Sequence, residues 1–442
     1  MTEKEINIYN KNKYYWQYQD KPVLLLGGSV EDNLFQIPDL KKQLDLIAEI
    51  GGNYVRNTMS SRDQGNVWPF KKAGDKYDLN RWNQEYWHRF STFLNETYKR
   101  NIIVQIEIWA TFDYYRENWN QENPFNPLNN ITYTLEETNL PGEVNTHPTQ
   151  TENNFFRSVP AENNQKLVLK YQQKFVNKIL SYTLDYGHIL YCMDNETSVT
   201  PEWGKYWAQY IKDKAEKKDK KIYTTEMWDA WELSHSQHDN TFNHPEIYDF
   251  VDVSQNNHNT GQKHYSNAIK QRKRIENNPR PMNNVKIYGG FGDYGSIKDG
   301  VERFWRNIFA GMASCRFHRP ESGIGINKKA QNMIKGARKV LKEFNIFQAI
   351  PDNTYLEKRN EDEAYLLQAE NGSILVYFPD GGFVNLNMSG IAQVNSDSKY
   401  SLHWFDIETC NWAQEIKIKR GDLKIELFTP AEGQWLALLK NN

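Results

Sequence analysis

The clearest sign of chemistry in this sequence is a carboxylate placed directly after an apolar segment. Glu196 follows the run Ile189–Met193, with only Asp194 and Asn195 between them. Burying a carboxylate costs free energy unless the group is hydrogen-bonded or functional. Glu196 is therefore a candidate general acid, and Asn195 is a candidate partner for a ligand hydroxyl. A structural glutamate in a loop is the alternative interpretation.

Polar and aromatic side chains follow other apolar segments in the same way. They are Arg56 and Asn57, Glu107 and Trp109, Glu226 and Trp228, Gln255, Asn256, Asn257 and His258, and finally His318, Arg319 and Glu321. Any one of them, a lone histidine above all, could be a satisfied structural residue. Together they combine acids, amides and tryptophan. A sugar pocket needs this combination, because hydroxyls take bidentate polar partners and the C–H face of a sugar takes an aromatic ring.

The apolar segment Val285–Tyr288 is followed by glycines instead of a glutamate. Residues 290–295 fit G-x-G-x-x-G and include a further carboxylate, Asp293. This pattern is typical of dinucleotide binding when it opens the first βα unit of a doubly wound sheet. Here it comes late in the chain. A phosphate site at 290–296 and a glycine turn that lets the backbone approach a ligand both stay open.

Other kinds of chemistry have little support in the sequence. His235, His238 and His244 lie close together without the spacing of a zinc motif, and no G-x-S-x-G elbow is present. The three cysteines are far apart, so they predict neither a disulfide framework nor a metal site. We expect no metal and no other cofactor.

The candidate residues end the strands of a repeating βα pattern. The predicted strands are Val23–Gly27, Tyr54–Asn57, Ile102–Trp109, Ile189–Met193, Ile222–Met227, Phe250–Ser254, Val285–Tyr288 and Cys315–Phe317. The predicted helices lie near 40–50, 84–99, 165–184, 202–217, 267–275, 297–313 and 328–344. This alternation predicts an α/β fold, a (β/α)₈ TIM barrel, whose active site lies at the carboxyl ends of the strands.

Two regions depart from the repeat. The segment 111–164 is rich in Asn, Thr and Pro and contains Trp119, Phe125, Phe155 and Phe156. A loop of this length is typical of a lid or binding loop, and a disordered insertion is the alternative. After residue 344, short strands alternate with turn signals such as Asn371-Gly372. We predict a barrel over 1–348 and a small all-β sandwich over 349–442.

The composition narrows the range of partners. The 442 residues carry a formal net charge of −2, which argues against nucleic-acid and polybasic membrane-surface binding. Aromatic residues make up 14% of the chain, which favours stacking on flat ligands such as sugars, although rings that replace aliphatic core residues are the alternative. Residues 1–5 contain no apolar run, so the sequence is compatible with an intracellular protein or with a processed form.

The sequence resembles the clan A glycoside hydrolases at Arg56, at Asn195-Glu196 and in its eight-strand pattern. Within them it is similar to apiosidase-like barrels that carry a collagen-binding-type β-module. The segments 22–29, 373–382, 403–406 and 433–439 carry this second likeness. The resemblance implies a glycoside hydrolase with Glu196 as acid/base and a nucleophilic glutamate at the end of the seventh strand, where this chain has Gly290 or Phe291.

Three interpretations accommodate the missing glutamate. A displaced carboxylate, Glu226 or Asp293, partners Glu196; or an inverting mechanism uses a base and a water; or the protein is a non-hydrolytic, sugar-binding or lyase-type relative. The leading prediction is a glycoside hydrolase in which burial and a neighbouring carboxylate keep Glu196 protonated. Arg56, Asn195, Glu107, Trp109, Trp228, Asn257, His258, His318 and Arg319 are the expected substrate-binding residues.

Overall fold

Eight short parallel strands alternate with helices over most of the chain in the computed structural model. The model describes residues 4–147, 153–290, 292–391, 394, 399–413, 415–419 and 421–441. The eight strands are Leu25–Gly28, Tyr54–Thr58, Ile103–Ala110, Ile189–Asn195, Thr224–Thr225, Val251–Asp252, Met282–Asn283 and Ser314–Phe317. We number them one to eight in chain order.

Backbone hydrogen bonds close these strands into a barrel. A continuous sheet joins strands five, four, three, two, one and eight in that order, and strands six and seven pair separately. Strand seven bonds to strand eight through Ala313 N and Met282 O at 2.8 Å, and strand five contacts strand six through Phe250 N and Thr224 O at 3.4 Å. The predicted (β/α)₈ barrel is therefore confirmed.

Most helices that cover the barrel begin and end within a few residues of the predicted positions, but the helix predicted near 267–275 begins earlier, at Gly261. The main ones are Leu40–Glu49, Gln84–Lys99, Lys166–Thr183, Pro201–Glu216, Gly261–Arg274, Ile297–Phe309 and Lys328–Glu343, with a short helix at Ser236–Phe242. Local capping explains several of these starts. Asn83 accepts a hydrogen bond from Glu85 N, and Ser296 and Asp299 form a reciprocal capping box.

Three predicted strands differ from the structure. Strand six, expected over Phe250–Ser254, pairs only at Val251–Asp252. Strand five was expected over Ile222–Met227 but pairs only at Thr224–Thr225, and strand seven pairs at Met282–Asn283, earlier than the expected Val285–Tyr288. Within the latter segment Ile287 makes one isolated bridge, to Phe317. The apolar runs are buried because they pack in the core, but only part of each run forms backbone hydrogen bonds with a neighbouring strand.

Additional elements surround the barrel. Three short antiparallel strands, Ile6–Ile8, Trp16–Tyr18 and Lys21–Val23, precede it. Trp16 packs edge-on against Tyr223 and Phe250 of the barrel. A hairpin of Phe70–Ala73 and Lys76–Trp82 follows strand two. In the long segment after strand three, short helical turns lie at Thr111–Tyr114, Asn118–Glu122, Leu135–Thr138 and Asn154–Arg157, and residues 148–152 of this segment lie outside the described residues.

Two sheets form the C-terminal β domain. One contains Ala349–Pro351, Tyr365–Ala369, Ile374–Phe378, Trp435–Asn441, Tyr400–Asp406, Asn411–Trp412 and Ile416–Lys417; the other contains Leu356–Glu357, Phe383–Asn387 and Lys424–Phe428. Val376 and Trp404 pack between the two sheets, whereas Leu375 and Tyr377 join the core of the barrel. Period-two alternation therefore lets the larger sheet bury both of its faces.

The described residues show neither a membrane-spanning helix nor a disulfide. None of their helices combines the length and apolar character that a membrane span requires. Cys192, Cys315 and Cys410 are buried free thiols.

Candidate active site

A cleft of about 300 Å³ opens at the carboxyl ends of the barrel strands. Charged, amide and aromatic side chains from several strands and the loops that follow them line it. They are Asp32, Arg56, Arg62, Phe112, Asn195, Glu196, Asp229, Trp231, His258, Lys286, Tyr288, Tyr294, His318, Arg319 and Ser322. Its position is the one at which barrel enzymes place their active sites.

Glu196 lies in this cleft with an unusual backbone conformation. Its φ angle is +56°, a left-handed value that is uncommon for a residue other than glycine. The Thr111 hydroxyl donates to the carbonyl of the preceding Asn195 at 2.6 Å. Together with the turn, this contact directs the Glu196 side chain away from the strand, and 28% of that side chain remains accessible. Strain of this kind is concentrated at functional sites.

Three donors meet one oxygen of Glu196. Oε1 lies 2.5 Å from Lys286 Nζ and accepts hydrogen bonds from Gln255 Nε2 and the Tyr288 hydroxyl, each at 3.0 Å. Burial by itself raises the pKa of Glu196, but the Lys286 ammonium and these hydrogen bonds outweigh it and hold the pKa well below its usual value. The expectation that a neighbouring carboxylate keeps Glu196 protonated is wrong, because its closest charged partner is a lysine.

A second carboxylate in the cleft, Asp229, was not among the predicted site residues. Backbone bonds place it beside the end of strand four: Thr197 N donates to Met227 O at 2.8 Å, and Asp229 N donates to Thr197 O at 2.9 Å. Burial first, and then the negative charge of Glu196, raise the pKa of Asp229 to about 6. The signal in the sequence was its position directly after Trp228 at a predicted strand end.

Glu226 faces a different environment from the one expected. Its Oε1 accepts from the backbone N–H groups of Asp194 and Met227, each at 2.9 Å. The helix Pro201–Glu216 packs closely on this carboxylate, because a Cβ atom placed on Gly204 of that helix would lie only 2.5 Å from Glu226 Oε2. Burial, and then the charge of Asp194, raise the pKa of Glu226 well above its usual value. Glu226 is therefore buried against Asp194 and a helix, outside the cleft.

Arg56 connects the floor of the cleft to the barrel interior. The side chain is fully buried; it lies 3.1 Å from Glu107 and 3.4 Å from Asp32, and it donates to Asn195 Oδ1 at 3.1 Å. Burial raises the pKa of Glu107 to about 7, although Arg56 opposes this shift. Arg56 and Asn195 thus line the cleft as predicted, and Glu107 lies behind them as the buried counter-ion.

The hydrogen bonds of His318 define its tautomer. Nε2 lies 3.3 Å from an Arg56 nitrogen, which can only donate, so Nε2 accepts. Nδ1 therefore carries the proton and donates to Ser322 Oγ at 2.9 Å. Burial lowers the pKa of His318 well below its usual value despite the nearby Asp32. His318 thus presents a neutral ring to the cleft.

Aromatic rings form one wall of the cleft. Trp231 stacks on His258 with ring centroids 4.1 Å apart and planes 11° apart, and 60% of Trp231 is exposed. His258 meets Tyr288 edge-on at 4.7 Å, and Tyr288 lies 5.0 Å from Tyr294. Burial lowers the pKa of His258 to about 4, so this ring is also neutral near pH 7. The wall has the flat, uncharged surface that a sugar ring requires.

The two tryptophans predicted as sugar platforms are buried. Trp109 has no exposed surface and packs against Trp203, Trp207 and Phe155, and Trp228 donates its indole N–H to Thr241. The aromatic residues of the long segment join the same core: Trp119, Phe125, Phe155 and Phe156. These rings stabilise the helical layer, so the expectation that they contact or cover a ligand is wrong.

The remaining predicted residues are divided between the rim and the interior. Arg319 lines the rim, where it pairs with Glu31 at 3.1 Å and with Asp32 at 3.6 Å. Asn257 is buried and donates to Asn284 at 2.7 Å. Asp293 is exposed in a short turn beside the cleft and is not part of its lining. Phe291 lies outside the described residues. No cluster of three metal-ligating side chains occurs among the residues that the structure describes.

Comparison with known proteins supports the architecture. No family model and no curated protein matches this sequence. A solved structure described as a glycoside hydrolase superposes with a TM-score of 0.66 at 12% identity, over 99% of this chain and 97% of its own. A glycoside hydrolase family 5 structure from Bacteroides vulgatus ATCC 8482 gives a TM-score of 0.67 at 12% identity, covering 98% and 93%. At this identity the likeness shows the fold, a TIM barrel followed by a β domain.

Proposed function

We propose that this protein is a glycoside hydrolase in which Asp229 is the general acid/base and Glu196 is the nucleophile. The observation that carries the proposal is a pair of carboxyl groups in one cleft whose pKa values move in opposite directions. The pKa of Asp229 rises to about 6, whereas Lys286 keeps Glu196 ionised. Two titratable groups separated in this way have the division of roles that glycoside hydrolysis needs.

The chemistry follows from the two protonation states. Asp229 gives its proton to the glycosidic oxygen while Glu196 attacks the anomeric carbon, so the C–O bond breaks and a glycosyl ester and a free alcohol form. Asp229 then takes a proton from water, which attacks the same carbon and releases Glu196. The attacking oxygen is Oε2, because Oε1 holds the Lys286, Gln255 and Tyr288 contacts. A carboxylate of low pKa suits a nucleophile that must later depart, and a group with a pKa of about 6 suits proton transfer.

The surroundings of the two carboxylates support a sugar as the substrate. The stacked pair of Trp231 and His258 offers an aromatic face, and Asn195 offers an amide for hydroxyl groups. Arg62 and Arg319 at the rim already pair with Asp32 and Asp63, which leaves little positive charge for an acidic group. An uncharged sugar fits this balance. The fold is also shared with solved structures described as glycoside hydrolases.

One observation favours a second candidate, a sugar-binding protein without hydrolytic activity. Lys286 comes from the predicted seventh strand, at whose end the resemblance to clan A implies a nucleophilic glutamate, and it neutralises Glu196 at 2.5 Å. A carboxylate whose charge is fully compensated is a weaker nucleophile. In this alternative, the cleft binds a sugar through the same residues and forms no product.

The test compares three variants on a substrate found by screening a panel of glycans and aryl glycosides. We expect Asp229→Asn to lower kcat about 10²–10⁴-fold on natural glycosides and much less on aryl glycosides with acidic leaving groups, which need little protonation. Glu196→Gln should abolish turnover on both. Asp293→Asn, an exposed carboxylate outside the cleft, is the matched control and should keep wild-type activity.

A trapping experiment identifies the nucleophile. Incubation with an activated 2-deoxy-2-fluoro glycoside of the preferred sugar should add one glycosyl group to the peptide that contains Glu196, as seen by mass spectrometry. An inverted product anomer by NMR would contradict the double displacement. Tight glycan binding by calorimetry with no cleavage product would instead support the sugar-binding alternative.

A further inference from the structure

A second and larger groove lies beside the catalytic cleft. Its volume is about 740 Å³. It is formed by the loop after strand two, the hairpin that follows this loop, the start of the helix Gln84–Lys99 and the turn at Asn118–Glu122. Its walls are lined by Ser61, Arg62, Asp63, Gln64, Asn66, Val67, Trp68, Phe70, Lys71, Lys72, Tyr77, Trp82, Asn83, Gln84, Glu85, Asn118 and Glu122. We refer to this feature as the hairpin groove.

The hairpin groove adjoins the catalytic cleft at Arg62. This side chain lines both spaces. Its guanidinium lies over the ring of Phe112 at 3.5 Å, and Phe112 lines only the cleft. The loop that carries Arg62 continues to Trp68 in the hairpin groove. The two spaces therefore lie side by side along one loop, so a ligand of several units that passes Arg62 would reach both.

The lining of the hairpin groove suits sugar rings. Phe70 is buried and stacks on the half-buried Trp82 at 4.9 Å with the ring planes 18° apart, so the pair forms a rigid support beneath the groove. Trp68 is half-buried, and among the residues that the structure describes no other aromatic ring stacks on it. Amide side chains surround these rings: Gln64, Asn66, Asn83, Gln84 and Asn118. Aromatic faces beside amide donors and acceptors match the two surfaces of a pyranose or furanose ring.

The charges of the hairpin groove are balanced. Its cations are Arg62, Lys71 and Lys72, and its anions are Asp63, Glu85 and Glu122. Arg62 and Asp63 pair within the groove at 3.7 Å. Because neither sign is in excess, the groove favours an uncharged ligand over a phosphorylated, sulfated or uronic-acid chain.

From these observations we infer that the hairpin groove is a remote subsite that binds uncharged sugar units of the same glycan whose scissile unit occupies the catalytic cleft. This inference rests on the proposed function and narrows it, because the substrate becomes an oligo- or polysaccharide. Contacts with remote sugar units supply binding energy that can also be used in the transition state. The hairpin groove should therefore make catalysis depend on chain length.

The test measures kcat/KM for a series of neutral oligosaccharides of increasing length and for the corresponding aryl monoglycoside. In Trp68→Ala, the ratio of kcat/KM for the longest to the shortest substrate should fall at least tenfold. Trp68→Phe keeps an aromatic face and should recover most of this ratio. Trp412→Ala removes a half-buried tryptophan from the C-terminal domain and is the matched control. Thermal unfolding of each variant monitors folding.

The outcomes separate this inference from the proposed function. An unchanged ratio in Trp68→Ala, or equal losses on long and short substrates, overturns the remote subsite. If the wild-type protein cleaves nothing, affinity electrophoresis in gels that contain neutral polysaccharides, such as galactomannan and arabinoxylan, still tests it. Retardation that depends on Trp68 supports the subsite while the hydrolase proposal fails. Retardation that survives in Trp68→Ala, or no retardation by any polysaccharide, overturns the subsite.

Discussion

The Nζ atom of Lys286 lies 2.5 Å from Oε1 of Glu196, so the segment that follows strand seven supplies a cation to the carboxylate that follows strand four. The same lysine lowers the pKa of Asp229, against the stronger effects of burial and of Glu196. Lys286 therefore acts on both carboxylates of the cleft. It stabilises the ionised form of one and moderates the pKa of the other.

Replacing this lysine should move the whole pH profile of catalysis. In Lys286→Met the compensating charge is lost, so the pKa values of Glu196 and Asp229 both rise. The proposed mechanism requires Glu196 ionised and Asp229 protonated, so both limbs of the kcat/KM profile should shift to higher pH. Measurement of kcat/KM from pH 3 to 9 checks this. Lys298→Met, at an exposed lysine, should leave the profile unchanged, and an unshifted profile in Lys286→Met would contradict the assignment.

The buried pair of Asp194 and Glu226 should affect stability and not catalysis. Burial raises both pKa values in the folded state. Between the two sets of pKa values, the folded protein therefore holds protons that the unfolded chain has released. The contribution of this pair to stability is complete below the unfolded pKa of about 4, and it is lost as pH rises through the pKa values of the folded state. Glu226→Gln keeps an oxygen that can accept hydrogen bonds from the backbone N–H groups of Asp194 and Met227, but its side chain cannot ionise. It should flatten the fall in Tm from pH 4 to 8 and retain activity.

A matched control distinguishes this effect from a general change of charge. Glu136→Gln removes an exposed carboxylate and should leave the slope of Tm against pH unchanged. Loss of activity in a folded Glu226→Gln protein would return Glu226 to the catalytic role that the sequence suggested.

The helices and most strands could be predicted because their signals are local. The helix Gln84–Lys99 has the predicted bounds, because both signals that define it are local: apolar residues recur at helical spacing, and the capping residue Asn83 directly precedes them. Strand five was overestimated because an apolar run does not reveal how much of it meets a neighbouring strand. The length of strand five is set by its pairing with strand four, in which Thr224 and Thr225 lie opposite Tyr191 and Cys192.

The cleft was only partly predictable because its membership depends on long-range packing. Glu226 and Asp229 both follow strand five, and backbone bonds to Thr197 decide that Asp229 reaches the cleft. Trp109 becomes a core residue because two tryptophans of a later helix pack on it. A signal for Lys286 was present. A lysine two residues from a tyrosine in an apolar segment predicts two polar side chains on one face, which need a buried partner.

The exposed ring of Trp231 should contribute to substrate affinity without stabilising the fold. Its side chain is 60% exposed, so truncation removes little buried surface. We expect Trp231→Ala to raise KM roughly tenfold, about 1.4 kcal/mol, while Tm stays near the wild-type value. Phe428→Ala, at a C-terminal ring that is also 60% exposed, is the control and should change neither quantity. Equal KM values for both variants would remove Trp231 from the sugar-binding wall.

Arg56 should be essential to stability because it neutralises two carboxylates inside the protein. It lies 3.4 Å from Asp32 and 3.1 Å from Glu107, and all three side chains are buried. Arg56→Met leaves the buried Glu107 without its ion-pair partner, whereas Asp32 keeps Arg62 at 3.1 Å and Arg319 at 3.6 Å. Removing one partner of a buried pair costs about 3–5 kcal/mol of unfolding free energy. Urea unfolding measures this. The loss should be smaller at pH 5 than at pH 8, because protonation of Glu107, whose pKa is about 7, removes one uncompensated charge.

Arg89→Met breaks the exposed pair with Glu85 and should cost no more than about 1 kcal/mol. A similar small loss in both variants would contradict the role of Arg56 as the internal counter-ion.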